Sequence, residues 1–293
     1  GSMIHPGTVY FHDLTTKRDS IVKETEVKGY DSRLYHTERV WAPSRDGKRI
    51  AVDLVYKKGL PMDGSASLMI DAYGSYGVNI DPRFSVTRLS YLDRGFVWAV
   101  PHVRGESFLG KSWHDDGKML NKANTFNDVV DATEFLIDKG YSTASQVAIQ
   151  GGSAGGLLVG AVLNQRPDLY GVAIARVPFV DVINDMLDES WPGIVAHYDE
   201  IGNPRKKKEY EAIKAYCPFY NVTAQDYPPV LVTNGYNDSR VPTWAPAKWA
   251  AKLRDTKTDS NLVLLKTEME AGHFGPSGRY DSWKKNAWEM AFV

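Results

Sequence analysis

Cysteine is nearly missing. Cys217 is the only one in 293 residues, so no disulfide can form within the chain, which fits a reducing compartment and makes the cytoplasm the expected location. A lone cysteine beside a better nucleophile reads as a small buried hydrophobe. No apolar run reaches the length that crosses a bilayer, and no secretory leader is legible. Gly1-Ser2 ahead of Met3 reads as the scar of a tag, with the natural start at Met3 or further upstream. An excess of charge is missing too: 35 Lys and Arg face 36 Asp and Glu, a formal net charge of −1. Neither nucleic acid nor an anionic membrane is therefore an expected partner. The one basic run, residues 205–208, is followed at once by Glu209 and Glu211 and reads as a solvated helix face. The histidines show no H-E-x-x-H or comparable ligand spacing, so neither a metal nor an organic cofactor is expected. No internal repeat is visible.

What is present suits one large α/β domain, with 43% hydrophobic residues and a chain long enough for a substantial core. Residues 8–12 form a strand-like run, and 13–24 read as turn and polar connector, so 1–28 reads as an arm. Residues 36–42 and 50–56 alternate as half-buried strands across an Asp46-Gly47 turn. Further strands fall at 68–72, 95–100, 147–149, 172–175, 229–235 and 261–266. Helices fall at 124–138, from 154 to an end at Arg166-Pro167, at 246–254 and at 280–293, the first with Phe126, Val130, Phe135 and Ile137 as its buried residues. Residues 178–227 are the least regular. An opening hairpin followed by strands alternating with helices predicts a mixed, mostly parallel sheet. The loops at 73–77, 102–106, 151–155, 235–241 and 271–274 all follow strands, where such sheets bind ligands.

Gly151-Gly152-Ser153-Ala154-Gly155 fits G-x-S-x-G, the nucleophile elbow of α/β-hydrolases. A strand that reverses straight into a helix needs missing Cβ atoms where the two cross, and it lifts the Ser153 hydroxyl to the top of the sheet. A serine hydroxyl is a weak nucleophile and needs a base, which needs an orienting acid. The order Ser, Asp, His is met by Ser153, Asp238 and His273, the latter two on loops past strands. His197 precedes the Asp238 strand and breaks that order; Asp226 sits before its strand rather than after it. An oxyanion needs donors. The Ala154 N–H is one, and the loop Tyr73-Gly74-Ser75-Tyr76-Gly77 is the source expected for the second, by a hydroxyl or a backbone N–H.

From about Tyr30 onward the motifs resemble the prolyl oligopeptidase family of serine peptidases, and within it the oligopeptidase B branch. The stretches that carry the resemblance are residues 72–77, 102–105, 124–128, 153–158, 177–181, 202–204 and 272–274. It implies an α/β-hydrolase fold, a mostly parallel eight-stranded sheet flanked by helices, over a catalytic domain at 29–293. It also implies the triad Ser153, Asp238 and His273, and Tyr73 as hydroxyl donor beside the Ala154 N–H. Arg240 would hold a substrate carbonyl, Phe179 would line the S1 pocket, and Val241 would lie beside Arg240 in the substrate site. The family carries a propeller upstream, of which 1–28 would be a last-blade remnant; a homo-oligomer is left open. In that family the acid and histidine loops can move, so without a propeller the triad is expected to be apart in space.

The resemblance implies short peptide substrates and an acyl-enzyme, cut after basic P1 residues. There this chain departs from the branch. Two glutamates that bind a basic side chain are replaced by His197 and Asp199, with Glu200 adjacent. A neutral imidazole cannot pair with arginine as a carboxylate does, so the preference is weakened and other P1 residues become admissible. Glu106 stands where the family has glycine, and Phe108 where an acid is common. An esterase or acyl hydrolase with the same triad is the second reading. A catalytically silent interaction domain is the third.

Overall fold

A computed structural model describes residues 2–191 and 193–293. Gly1, half of the tag reading, and Pro192, within the irregular 178–227 stretch, lie outside the described residues. Strands β1 (Thr8–Asp13) and β2 (Arg18–Glu24) pair antiparallel as a hairpin of their own. This corrects the reading of 13–24 as turn and connector. Every residue of β2 is exposed, so no buried face imposed the alternation by which a strand declares itself. Ahead of the hairpin, Met3 is buried against Tyr35, Val55 and Trp98, and the Tyr30 hydroxyl donates to the Ile4 carbonyl at 2.5 Å.

The main sheet holds β3 (Tyr35–Pro43), β4 (Arg49–Lys57), β5 (Ser67–Asp71), β6 (Phe96–His102), β7 (Val147–Gly152), β8 (Val172–Arg176), β9 (Val230–Gly235) and β10 (Val263–Glu268). Their spatial order is β10-β9-β8-β7-β5-β6-β4-β3. β4 runs antiparallel to both β3 and β6, and the other neighbours are parallel. This is the mostly parallel eight-stranded sheet of the α/β-hydrolase fold. The central strands read as continuous apolar runs because helices cover both of their faces; Leu68, Met69, Ile70 and Ile149 are fully buried.

The helices are α1 (Val86–Leu92), α2 (Lys111–Asp115), α3 (Ala123–Asp138), α4 (Ala154–Gln165), α5 (Val182–Leu187), α6 (Lys207–Tyr216), α7 (Trp244–Thr256) and α8 (Arg279–Phe292). At five to seven residues, α1, α2 and α5 are under two turns, too short for a helical period to announce them. On α3, Phe126 and Val130 are buried as expected, together with Val129, Ala132 and Leu136. Phe135 and Ile137 are only half-buried: Phe135 lies about two and a half turns past Phe126 and so faces away from it. Helix α4 is apolar all round, and Leu157, Leu158, Val159, Val162 and Leu163 are fully buried, as suits a helix enclosed by the core.

β5 lies between β6 and β7. From β5 the chain moves to one side of the sheet, and from β7 it moves to the other. The loops leaving these two neighbours therefore part, and the crevice between them is where such sheets bind ligands. Tyr73 and Ser153 both sit there.

Candidate active site

Ser153 caps α4 with φ 57° and ψ −118°, a conformation that costs a non-glycine residue roughly 1–3 kcal/mol. Neighbouring backbone enforces it. The Ser153 N–H donates to the Arg176 carbonyl at 2.8 Å, and its own carbonyl accepts from the N–H groups of Gly156, Leu157 and Phe179 at 2.9, 3.1 and 3.1 Å. The start of α4 lies almost on β5: a Cβ on Gly155 would stand 2.7 Å from the Ala72 carbonyl oxygen. The Ala154 N–H opens the helix, where it has no intrahelical acceptor.

Asp238 occupies the turn after β9. Its Oδ1 accepts from the Arg240 and Val241 N–H groups at 2.8 and 2.9 Å. Its Oδ2 lies 2.7 Å from His273 Nδ1. Burial alone would raise the Asp238 carboxyl, but the bonds from His273, Val241 and Arg240 outweigh it and hold the group below the usual carboxylate range. The expectation that the acid and histidine loops stand apart is thus corrected: six residue pairs register β9 and β10, from Val263 opposite Val230 to Glu268 opposite Gly235, and bring the two loops together at one edge.

 Among the described residues no hydrogen bond joins Ser153 Oγ to His273. Catalytic bonds of this kind often close only around a substrate.

Beside Ser153 opens a cavity of about 350 Å³ lined by Tyr73, Tyr76, Val78, Ala154, Phe179, Ile194, His197, Ser239, Arg240 and Val241. It brings together most of the expected site residues. Burial raises the Tyr73 phenol above its ordinary range, and the charge of Glu200 adds to this, while Arg240 and the Ser153 hydroxyl pull the other way. Tyr73 is therefore a neutral O–H donor. The Tyr76 hydroxyl and His197 Nδ1 lie 2.9 Å apart. Burial first, then the Arg240 cation, lowers His197 below the usual imidazole range, so this wall is uncharged at neutral pH. The Arg240 guanidinium sits 5.1 Å from the centre of the Phe274 ring.

Two expected substrate residues are placed elsewhere. Neither Asp199 nor Glu200 lines the cavity. Asp199 is exposed. Glu200 is buried and already engaged: Oε1 accepts the Tyr76 N–H at 2.8 Å, and Oε2 lies 2.7 Å from His114 Nε2. Glu106 does not replace a recognition charge either. It is fully buried, 3.2 Å from His102 Nδ1, and Phe108 stacks on the same His102 ring at 3.6 Å. One buried residue close to the site, Lys122, escaped the sequence reading. Its only signal was a lysine directly before an amphipathic helix, which is more often a solvated charge.

Residues 82–293 match the prolyl oligopeptidase family. The chain belongs to that family. It is 48% identical to dipeptidyl aminopeptidase BI of Pseudoxanthomonas mexicana, over all of this chain and 40% of the relative. It is 45% identical to protease 2 of Moraxella lacunata, over all of this chain and 42% of the relative. Among solved structures, oligopeptidase B from Leishmania major superposes with a TM-score of 0.96 at 45% identity, covering 99% of this chain and 41% of that one. Oligopeptidase B from Trypanosoma brucei with covalently bound antipain gives 0.97 at 44%, covering 100% and 41%. The chain thus spans about two-fifths of the length of the relatives it matches.

Proposed function

We propose that this chain is the catalytic domain of a serine endopeptidase that hydrolyses short peptides through an acyl-enzyme on Ser153. The observation that carries the reading is the 2.7 Å contact between Asp238 Oδ2 and His273 Nδ1. With Nδ1 committed to the acid, Nε2 is the ring nitrogen left to take the Ser153 proton. Ser153 Oγ then bonds to the scissile carbonyl carbon, and the oxyanion is met by the Ala154 N–H and the Tyr73 hydroxyl. Collapse breaks the C–N bond, and the leaving amine departs with the proton held by His273. Water, deprotonated by the same nitrogen, releases the acid product and restores Ser153.

The proposed P1 residue is Arg or Lys. Its stem suits the Phe179, Ile194 and Val241 walls. Its charge falls to Asp199, which has no ion pair among the described residues and follows His197 by two positions. A second reading is favoured by the lining itself, which carries Arg240 and no carboxylate: an uncharged P1 side chain. The boundary between an arm at 1–28 and a catalytic domain at 29–293 belongs to the same proposal. So does a propeller upstream, supported by the exposed Tyr10, Phe11, Leu14 and Ile21 of the hairpin.

The test is kcat/KM on fluorogenic dipeptide amides differing only at P1, with Ser153→Ala as the blank, beside labelling by a fluorophosphonate. Preference for Arg and Lys supports the first P1 reading, and preference for neutral residues the second. Labelling with ester but no amide turnover would make the protein an esterase. Neither labelling nor turnover would leave an interaction domain.

A further inference from the structure

Lys122 is 1% exposed. It stands between the 3-10 turn Met119–Asn121 and helix α3. Its ammonium donates to the Gly74 carbonyl at 2.6 Å and to Ser75 Oγ at 2.5 Å, and lies 3.7 Å from Glu200 Oε1. Glu200, 5% exposed, accepts the Tyr76 N–H at 2.8 Å, and its backbone carbonyl accepts the Met119 N–H at 2.7 Å. Two buried charges from distant parts of the chain thus converge on three successive residues, Gly74 to Tyr76, directly after Tyr73. Tyr73 faces Ser153, and Tyr76 forms the cavity wall with His197.

The loop has little freedom of its own to hold this shape. Gly74 takes φ +69°, and a Cβ there would lie 2.3 Å from Thr125 Cγ2. Its carbonyl is turned inward, away from water, where a strong donor must meet it. Burying a lysine and a carboxylate is not a cheap way to stabilise a fold, since well-packed apolar residues often do as well or better. What the charged pair adds is direction: a carbonyl, a hydroxyl and an N–H of one loop, each fixed by a charge-assisted bond.

We propose that Lys122 and Glu200 are positioning residues, which hold the Tyr73–Tyr76 loop so that the Tyr73 hydroxyl meets the oxyanion formed at Ser153. The proposal rests on the reading of Tyr73 as an oxyanion donor. Neither residue touches the substrate; both act through the loop.

A double-mutant cycle on the 293-residue chain tests it, with kcat and KM measured on a fluorogenic dipeptide amide for Tyr73→Phe, Lys122→Met and the two together. Removing one oxyanion donor costs roughly 10²–10³-fold in kcat. Tyr73→Phe is expected near that range, and Lys122→Met is expected to lose at least about tenfold in kcat with KM changed by less than about threefold. In the Tyr73→Phe background, the Lys122→Met loss should shrink to less than about threefold, because the hydroxyl it positions is gone. An equal loss in both backgrounds, or a lower melting temperature with kcat unchanged, overturns the positioning role while leaving the peptidase reading intact. Unchanged kcat in Tyr73→Phe overturns the oxyanion assignment, and the positioning role with it. Should Lys122→Met fail to fold, Lys122→Met/Glu200→Gln, which leaves no lone buried charge, goes through the same cycle under the same criteria.

Discussion

Asp238 Oδ2 holds His273 Nδ1 at 2.7 Å, while Oδ1 holds the N–H groups of Arg240 and Val241. One carboxylate thereby fixes both the ring and the turn that carries it. Asp238→Asn keeps the shape but can present an N–H to Nδ1, which selects the wrong tautomer. The expected outcome is a fall in kcat of roughly 10⁴-fold, as when the orienting acid of a comparable triad is replaced. Peptide-amide kinetics beside a thermal melt would check it; a loss below tenfold in a folded variant would mean that Asp238 does not orient the base.

The cavity wall offers a second prediction. His197 lines the cavity as a neutral ring, and no carboxylate lines it. His197→Glu would put one there, and a carboxylate can pair with a guanidinium through two parallel bonds. The ratio of kcat/KM for Arg over norleucine at P1 should rise by about tenfold or more, of the order expected for 1.5–3 kcal/mol from a charged hydrogen bond. A ratio that does not move would show that P1 does not reach His197.

Much of this was legible in the sequence, because the signals were local. The strands announced themselves through continuous or alternating apolar runs, and the elbow through glycines whose missing Cβ atoms the turn requires. The proposed triad followed from chain order. What stayed hidden depended on distance or on a lack of burial. Strand β2 has no buried face. Helices α1, α2 and α5 are shorter than two turns. Glu200 sits beside the expected recognition residues, and only the fold shows that its carboxylate turns towards Tyr76 and His114 rather than into the cavity. Lys122 meets a carbonyl 48 positions away, a contact no local pattern encodes.

Gly155 lies where helix α4 passes over β5. A Cβ there would stand 2.7 Å from the Ala72 carbonyl oxygen and 3.3 Å from Tyr73 Cα. Both are backbone atoms, so no side chain can swing aside. Gly155→Ala should destabilise the fold by about 1–3 kcal/mol, the usual scale of overpacking, and should lower kcat because the shift falls on Tyr73. Urea unfolding together with peptide-amide kinetics measures both. Unaltered stability would mean that α4 can withdraw from β5 at little cost.

Lys122 makes stability depend on pH in a direction that can be worked out. Burial lowers its ammonium from the ordinary lysine range to about 8, although the Glu200 charge and hydrogen bond oppose the shift. In the unfolded chain it titrates near its ordinary value of about 10.4. Between those two values the unfolded chain binds more protons, so the free energy of unfolding rises with pH. The penalty for burying the charge is full below about 8 and is relieved as pH climbs towards about 10.4. Groups remote from Lys122 titrate alike in the wild type and in Lys122→Met, so their contribution cancels in the difference. Urea unfolding of both proteins at pH 7 and at pH 10 should show the wild type gaining on the variant at the higher pH, by on the order of a few kcal/mol at most. A difference that is the same at both values would mean that Lys122 keeps an ordinary affinity for its proton, with Glu200 fully offsetting its burial.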